Sequence, residues 1–280
     1  MIALVFGILG LIVGSFLNVV ILRHRARMLG GRSACMSCGR TLRWYDLVPV
    51  FSWVALGGRC RICRASISVQ YPLVEGMTGI LFAFVGVALV PLFVNHGMAT
   101  LFLLLDYLAI ASLLIAIAAY DLRHTIIPDE WVYSCAFLAL VSQFSLVPLQ
   151  ADPLSILIAG PLVAMPLYLL WFVSKGTWMG FGDVKLALGM GWLLGIQNGL
   201  LALFLAFIIG GIFSMPLLFF SSGAWRTIVA KFIPYHLWLT SGKGFTMKSE
   251  VPFGPFLIMS TIGVWFAVLS SIQLNFFFFL

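Results

Sequence analysis

Apolar runs of about transmembrane length recur along the chain, at residues 2–22, 73–94, 100–120, 130–149, 154–174, 185–198, 199–221 and 254–278. Each is long enough, or nearly so, to cross ~30 Å of hydrocarbon as a helix. With 62% hydrophobic and only 9% charged residues, the composition lies far from the roughly half-apolar, quarter-charged mix of soluble domains. These runs predict an all-α polytopic membrane protein with about eight transmembrane helices. The run at 185–198 is short and glycine-rich, and its limits are the least defined.

Charge then orients the runs. The net charge of +7 is a topology signal before it is a nucleic-acid signal: nine of the sixteen basic residues are arginines between Arg23 and Arg64, and the others flank apolar runs. No nucleic-acid partner is expected. The first run has no basic segment before it and Arg23, His24, Arg25 and Arg27 directly after it, so it reads as a retained helix ending inside, the opposite polarity to a cleaved signal peptide. With eight spans, Arg123, Lys175, Lys185, Arg226, Lys231, Lys243 and Lys248 all fall on the inner side. The outer loops around residues 95–97, 150–152 and 197–199 carry no Lys or Arg. This places the polar insertion, residues 23–71, on the inner, cytoplasmic side of the membrane.

That insertion holds four of the five cysteines as Cys35-Met-Ser-Cys38 and Cys60-Arg-Ile-Cys63, two Cys-x2-Cys pairs separated by 21 residues. Each pair can grip one metal, and four thiolates close a tetrahedral zinc shell with no position left for water. The expected zinc is therefore structural, a staple for a loop too short to build a core. Cys135 is alone in an apolar run and reads as a core residue.

Ionisable groups at or in spans are costly, which makes Asp121 and Asp183 candidate site residues. Both fall at the inner border, Asp121 after the third span and Asp183 before the sixth, in Met179-Gly-Phe-Gly-Asp-Val-Lys-Leu186. Two adjacent carboxylates that share a proton can hydrolyse a peptide bond, one as base toward water and one as acid toward the carbonyl oxygen. Gly180 and Gly182 let the backbone pass an extended substrate closely. A water-facing helix cap is the alternative for each aspartate. Asp129, after Pro128, reads as a helix N-terminal cap, Lys185 as a headgroup anchor in preference to a carboxylate partner, and His124 as a solvated loop residue. Gly189-Met-Gly-Trp-Leu-Leu-Gly195 sits in a span and reads as helix packing rather than a nucleotide loop.

Gly180-Phe-Gly-Asp183 resembles the Gly-x-Gly-Asp motif of membrane aspartyl proteases. With Asp121-x6-Pro128-Asp129, Gly14-Ser-Phe-Leu-Asn-Val-Val-Ile21, both cysteine pairs, Tyr71-Pro-Leu-Val-Glu75 and Pro252-Phe-Gly-Pro-Phe256 in order, the chain resembles type IV prepilin peptidases over nearly its whole length. Met36 departs from the family's usual Cys-Pro-x-Cys, and Arg23-His-Arg-Ala-Arg27 from its usual Arg-Leu-Pro; neither removes a ligand. The resemblance implies that Asp121 and Asp183 are the catalytic pair and that Asp129 is a motif neighbour. It implies prepilin or pseudopilin substrates, cut at the junction of basic leader and apolar helix. It implies also a second activity, S-adenosylmethionine-dependent methylation of the new N-terminus, to which Glu75 is assigned; a headgroup-level residue is the alternative for Glu75.

Two parts are expected, an N-terminal part over 1–94 with the cysteine insertion and a peptidase part over 100–280. An aspartic endopeptidase working at the cytoplasmic face beside membrane lipid is the leading reading. A transporter or channel with a cytoplasmic structural zinc module is the alternative, opposed by the lack of an inverted repeat and by acidic residues at the border rather than mid-membrane. A zinc hydrolase would need an open coordination position and a nearby base, which four cysteines do not provide.

Overall fold

The computed structural model describes residues 1–24, 31–96, 98–146, 153–220 and 252–278. Helices follow in the order α1 (Ile2–Arg23), α2 (Phe51–Ala55), α3 (Gln70–His96), α4 (Met98–His124), α5 (Asp129–Leu146), α6 (Pro153–Val173), α7 (Phe181–Phe220) and α8 (Gly254–Phe278), with a 3-10 turn at Trp44–Leu47. Among the described residues there is no strand, only the isolated bridges Ala34 to Thr41 and Arg59 to Ser66. Five stretches are long and apolar enough to cross a membrane: α1, α4 and α6 throughout, Gln70–Pro91 of α3, and Phe181–Met215 of α7. α5 and α8 occupy the two other apolar runs. Arg25, Arg27, Arg226, Lys231, Lys243 and Lys248, with Gly97 and residues 150–152, lie outside the described residues.

The short sixth run and the seventh are one element broken at Gly195. A straight helix of α7's 40 residues would extend ~60 Å. Instead Gly195 takes φ 76, ψ 178, a conformation open to glycine and closed to side chains. A Cβ on Gly199 would stand 3.4 Å from the Cα of Gly191, two positions that a straight helix holds about 12 Å apart. The chain has therefore turned back on itself, giving two spans, 181–194 and 196–220.

Small residues set the seams. Without a hydrophobic drive between helices in lipid, close packing decides which pairs associate. Along α1 against α3, added Cβ atoms would stand 2.8 Å from Gly79 Cα at Gly10 and 2.7 Å from Glu75 Cα at Gly14. The Gly189–Gly195 stretch packs helices, as its sequence suggests: Gly189 abuts Ala136 of α5, and a Cβ on Gly191 would be 2.8 Å from Gly160 Cα of α6. The shared core includes Leu81, Val85, Ile110, Ile117, Leu167, Leu186, Leu257 and Trp265, and Cys135 is buried there as expected. Large apolar side chains also point outward, among them Leu4, Ile8, Ile12 and Phe16 on α1 and Leu157, Met165 and Leu169 on α6. Such a surface suits hydrocarbon contact.

Candidate active site

The last turn of α4 and the first turn of α7 bring Asp121 and Asp183 together at one end of the bundle. Both are buried, at 4% and 7% exposure, and they interact electrostatically across the gap between the helices. Asp121 is fixed further: its carboxylate accepts the backbone N–H of Gly254, where α8 begins. The first N–H groups of a helix have no partner of their own and favour an anion. A Cβ on Gly254 would stand 2.5 Å from Asp121 Oδ2 and 3.2 Å from Ile127 Cδ1. A Cβ on Gly182 would stand 3.0 Å from Ile127 Cβ. Ile127 thus packs against both the glycine before Asp183 and the glycine that contacts Asp121. Gly180, by contrast, is loosely surrounded, with the Gly182 nitrogen 3.9 Å from where a Cβ would stand, and its carbonyl accepts the Asp183 N–H at 3.3 Å.

Three neighbours differ from their sequence reading. Lys185 is a carboxylate partner: its Nζ donates to Asp129 Oδ1 at 2.6 Å and lies 5.3 Å from the ring centres of Tyr133 and Phe181. Asp129 does open α5, but its carboxylate turns toward Lys185 and ties α5 to α7. His124 belongs to the last turn of α4, half-buried, with its ring 4.5 Å from that of Tyr120. Tyr120 also meets the rings of His24 and Trp131 at 5.4 and 5.3 Å, so the end of α1 packs beside Asp121.

The insertion brings its four cysteines into one cluster. All four sulfur atoms lie within 4.8 Å of one another, and Cys35 Sγ is 3.8 Å from Cys63 Sγ. A tetrahedron of thiolates bound at ~2.3 Å has edges of ~3.8 Å, so the set fits a metal ion. Both cysteine pairs use the same turn, closed by Gly39 N–H to Cys35 O at 2.9 Å and Arg64 N–H to Cys60 O at 3.1 Å. Backbone N–H groups of Cys38 and Ser37 bring the Cys35 thiol down to about 6, and those of Ile62 and Cys63 lower Cys60. Cys63, the Ala65 N–H notwithstanding, is pushed up to about 11 by desolvation and its neighbouring thiols. Four sulfurs this close ionise together only around a cation.

Glu75 lies apart from the carboxylate pair, buried where α3 meets α1. Its Oε2 accepts the Val50 N–H from the insertion at 2.7 Å, and Ser15 of α1 donates to it. It is a buried residue that joins α1, α3 and the insertion.

Two known families match separate stretches of the chain. Residues 8–89 match the bacterial peptidase A24 N-terminal domain, and residues 108–215 match the type IV leader peptidase family. The chain is 34% identical over 217 residues to the prepilin leader peptidase/N-methyltransferase of Pectobacterium carotovorum subsp. carotovorum, covering 68% of this chain and 74% of that protein. This chain belongs to the type IV leader peptidase family. The protein of the same name from Aeromonas salmonicida (strain A449) is 30% identical over 297 residues, 95% of this chain and 90% of its own. That from Myxococcus xanthus (strain DK1622) is 36% identical over 191 residues, 66% of this chain and 53% of its own. No solved structure matches the chain. The transporter alternative finds no support among these relatives. Both buried aspartates fall in the leader peptidase match, and the cysteines and Glu75 in the N-terminal match. Gly254, which fixes Asp121, lies beyond both. Its signal in the sequence was the glycine of Pro252-Phe-Gly-Pro-Phe256, whose spacing alone does not say what it faces.

Proposed function

We propose that this chain is an aspartic endopeptidase of the bacterial cytoplasmic membrane that removes the basic leader of type IV prepilins or pseudopilins at the cytoplasmic face. It also methylates the N-terminus thereby exposed. The observation that carries the peptidase reading is the meeting of buried Asp121 and Asp183 at the end of the bundle from which the polar insertion hangs. A substrate with a polar leader and an apolar helix presents its junction at that level. One carboxylate takes a proton from water as its oxygen attacks the scissile carbonyl, and the other gives a proton to the carbonyl oxygen. Collapse of the tetrahedral intermediate then breaks the C–N bond, and the leaving amine takes a proton from the pair.

The two parts of the chain, 1–94 and 100–280, divide these tasks. The metal held by Cys35, Cys38, Cys60 and Cys63 is zinc, and it is structural, because four thiolates leave no open position. S-adenosylmethionine supplies the methyl group when bound. Glu75 and its buried surroundings between α1 and α3 serve that second step, since a buried carboxylate suits an amine. Co-expression with a prepilin followed by mass spectrometry of the product N-terminus tests both activities. A shortened, methylated product is expected, and an intact leader would overturn the assignment.

A further inference from the structure

The sequence places Asn18 inside the first apolar run, one turn after Gly14. An amide in that position is expected to satisfy itself locally, and Asn18 does so only by half. Its Nδ2 donates to Gly14 O at 3.3 Å and to Tyr71 O at 3.1 Å. Both donors are then engaged, which fixes the orientation of the amide. Its Oδ1 is shielded from solvent and has no hydrogen-bond partner among the described residues, in a residue 2% exposed. A buried acceptor left in this state costs free energy comparable to a lost hydrogen bond.

Glu75 is close by. Gly14 packs on Glu75, Tyr71 lies one turn before it, and Asn18 bonds the Tyr71 carbonyl. Asn18 and Glu75 are therefore about one helical turn, ~5 Å, apart along the seam. One Glu75 oxygen is covered by the Val50 N–H. Val50 holds that contact at φ 60, a strained conformation for a β-branched residue, so its release is the move that opens Glu75 to a ligand. Tyr71 lies within electrostatic reach of Glu75, Arg123 and Cys35.

A carboxylate and an unpartnered amide oxygen form an acceptor set that calls for a group with several N–H donors and a positive charge. We infer that Asn18 Oδ1 and Glu75 bind a primary ammonium group, displacing the Val50 amide. Two ligands of the proposed methyl transfer carry one: the new N-terminus of the cut substrate, and the amino-acid end of S-adenosylmethionine. The inference rests on the methylation reading and names the residues that would recognise one of its two reactants.

Binding to the purified full-length protein separates the sources. The probes are S-adenosylhomocysteine and a synthetic peptide with the mature prepilin N-terminus, each with and without an N-acetyl group. For the probe that uses this site, acetylation should weaken binding at least ~10-fold, the loss of about one charge-assisted hydrogen bond. Asn18→Leu should weaken the free-amine form similarly while the acetylated form is unaffected. Zinc content and leader cleavage measured on the same preparation report that the variant is folded. The comparison of free and acetylated probes needs no variant at all. If the parent binds a probe and methylates product, yet acetylation and Asn18→Leu change neither affinity, the ammonium site is wrong and the methylation reading stands. If the parent neither methylates nor binds either free-amine probe, both fall together.

Discussion

Replacing Gly254 by Ala adds one methyl group at the place where α8 meets the carboxylate of Asp121. The added Cβ would lie 2.5 Å from Oδ2 and 3.3 Å from Cγ of Asp121, and 3.2 Å from Ile127 Cδ1. Close carbon-to-oxygen contacts lie at ~3.3 Å or more, so Asp121 and α8 must separate by about 0.8 Å. The backbone itself does not resist the change, because Gly254 is not among the positive-φ glycines. The separation cannot be absorbed cheaply: Asp121 is buried at the end of a helix whose preceding turns are core, and Ile127 is already packed closely against Gly182. A misplacement of ~1 Å at reacting groups can cost ~100-fold in rate, or about 2.7 kcal/mol of transition-state stabilisation. Gly254→Ala should accordingly lower kcat for leader cleavage by about 10- to 100-fold. The assay is cleavage of a purified prepilin in detergent, with Gly211→Ala as control, since a Cβ at Gly211 meets nothing within 4 Å. Cleavage by Gly254→Ala at the rate of the Gly211→Ala control would refute the placement of α8 against Asp121.

Two other outcomes are expected. The purified chain should carry about one zinc ion, and replacing Cys35, Cys38, Cys60 or Cys63 by Ser should release it in metal analysis; parent protein without metal would remove the zinc module from the account. Asp129→Asn breaks the 2.6 Å contact with Lys185, a partly exposed pair worth ~0.2–1 kcal/mol, so cleavage should persist with only a small fall in thermal stability; loss of cleavage comparable to that of an Asp121 variant would give Asp129 a direct role.

How much of this was legible in the sequence depended on whether the cause was local. Each apolar run carries its own reason to be a helix, so the described helices fall on the eight runs, but the sixth and seventh divide at Gly195 and not at 198–199, because the turn needs a φ that glycine takes freely. The four-cysteine cluster was legible because each Cys-x2-Cys pair forms its own turn, and only the meeting of two such turns was left to the fold. The burial of Asp121 and Asp183 followed from their place at the ends of apolar runs. Contacts between distant segments were not legible. Lys185 was read as a headgroup anchor in preference to a carboxylate partner because only Asp183 is acidic near it in sequence, and the partner it takes, Asp129, is 56 residues away. The Val50 amide on Glu75, 25 residues apart, and the Gly254 amide on Asp121 are of the same kind. In each case the residue type permitted the bond, and only the packing of helices chose the partner.

The central claim is that Asp121 and Asp183 form one hydrolytic pair, and the most direct measurement is leader cleavage by Asp121→Asn and Asp183→Asn, followed by mass spectrometry of a co-expressed prepilin. An amide cannot share a proton as a carboxylate does. Each variant, shown by membrane fractionation to be inserted and by metal analysis to keep its zinc, should leave the prepilin at full length and unmethylated, because methylation needs the amine that cleavage exposes. Either variant releasing mature, shortened product at a substantial fraction of the parent rate would contradict the account.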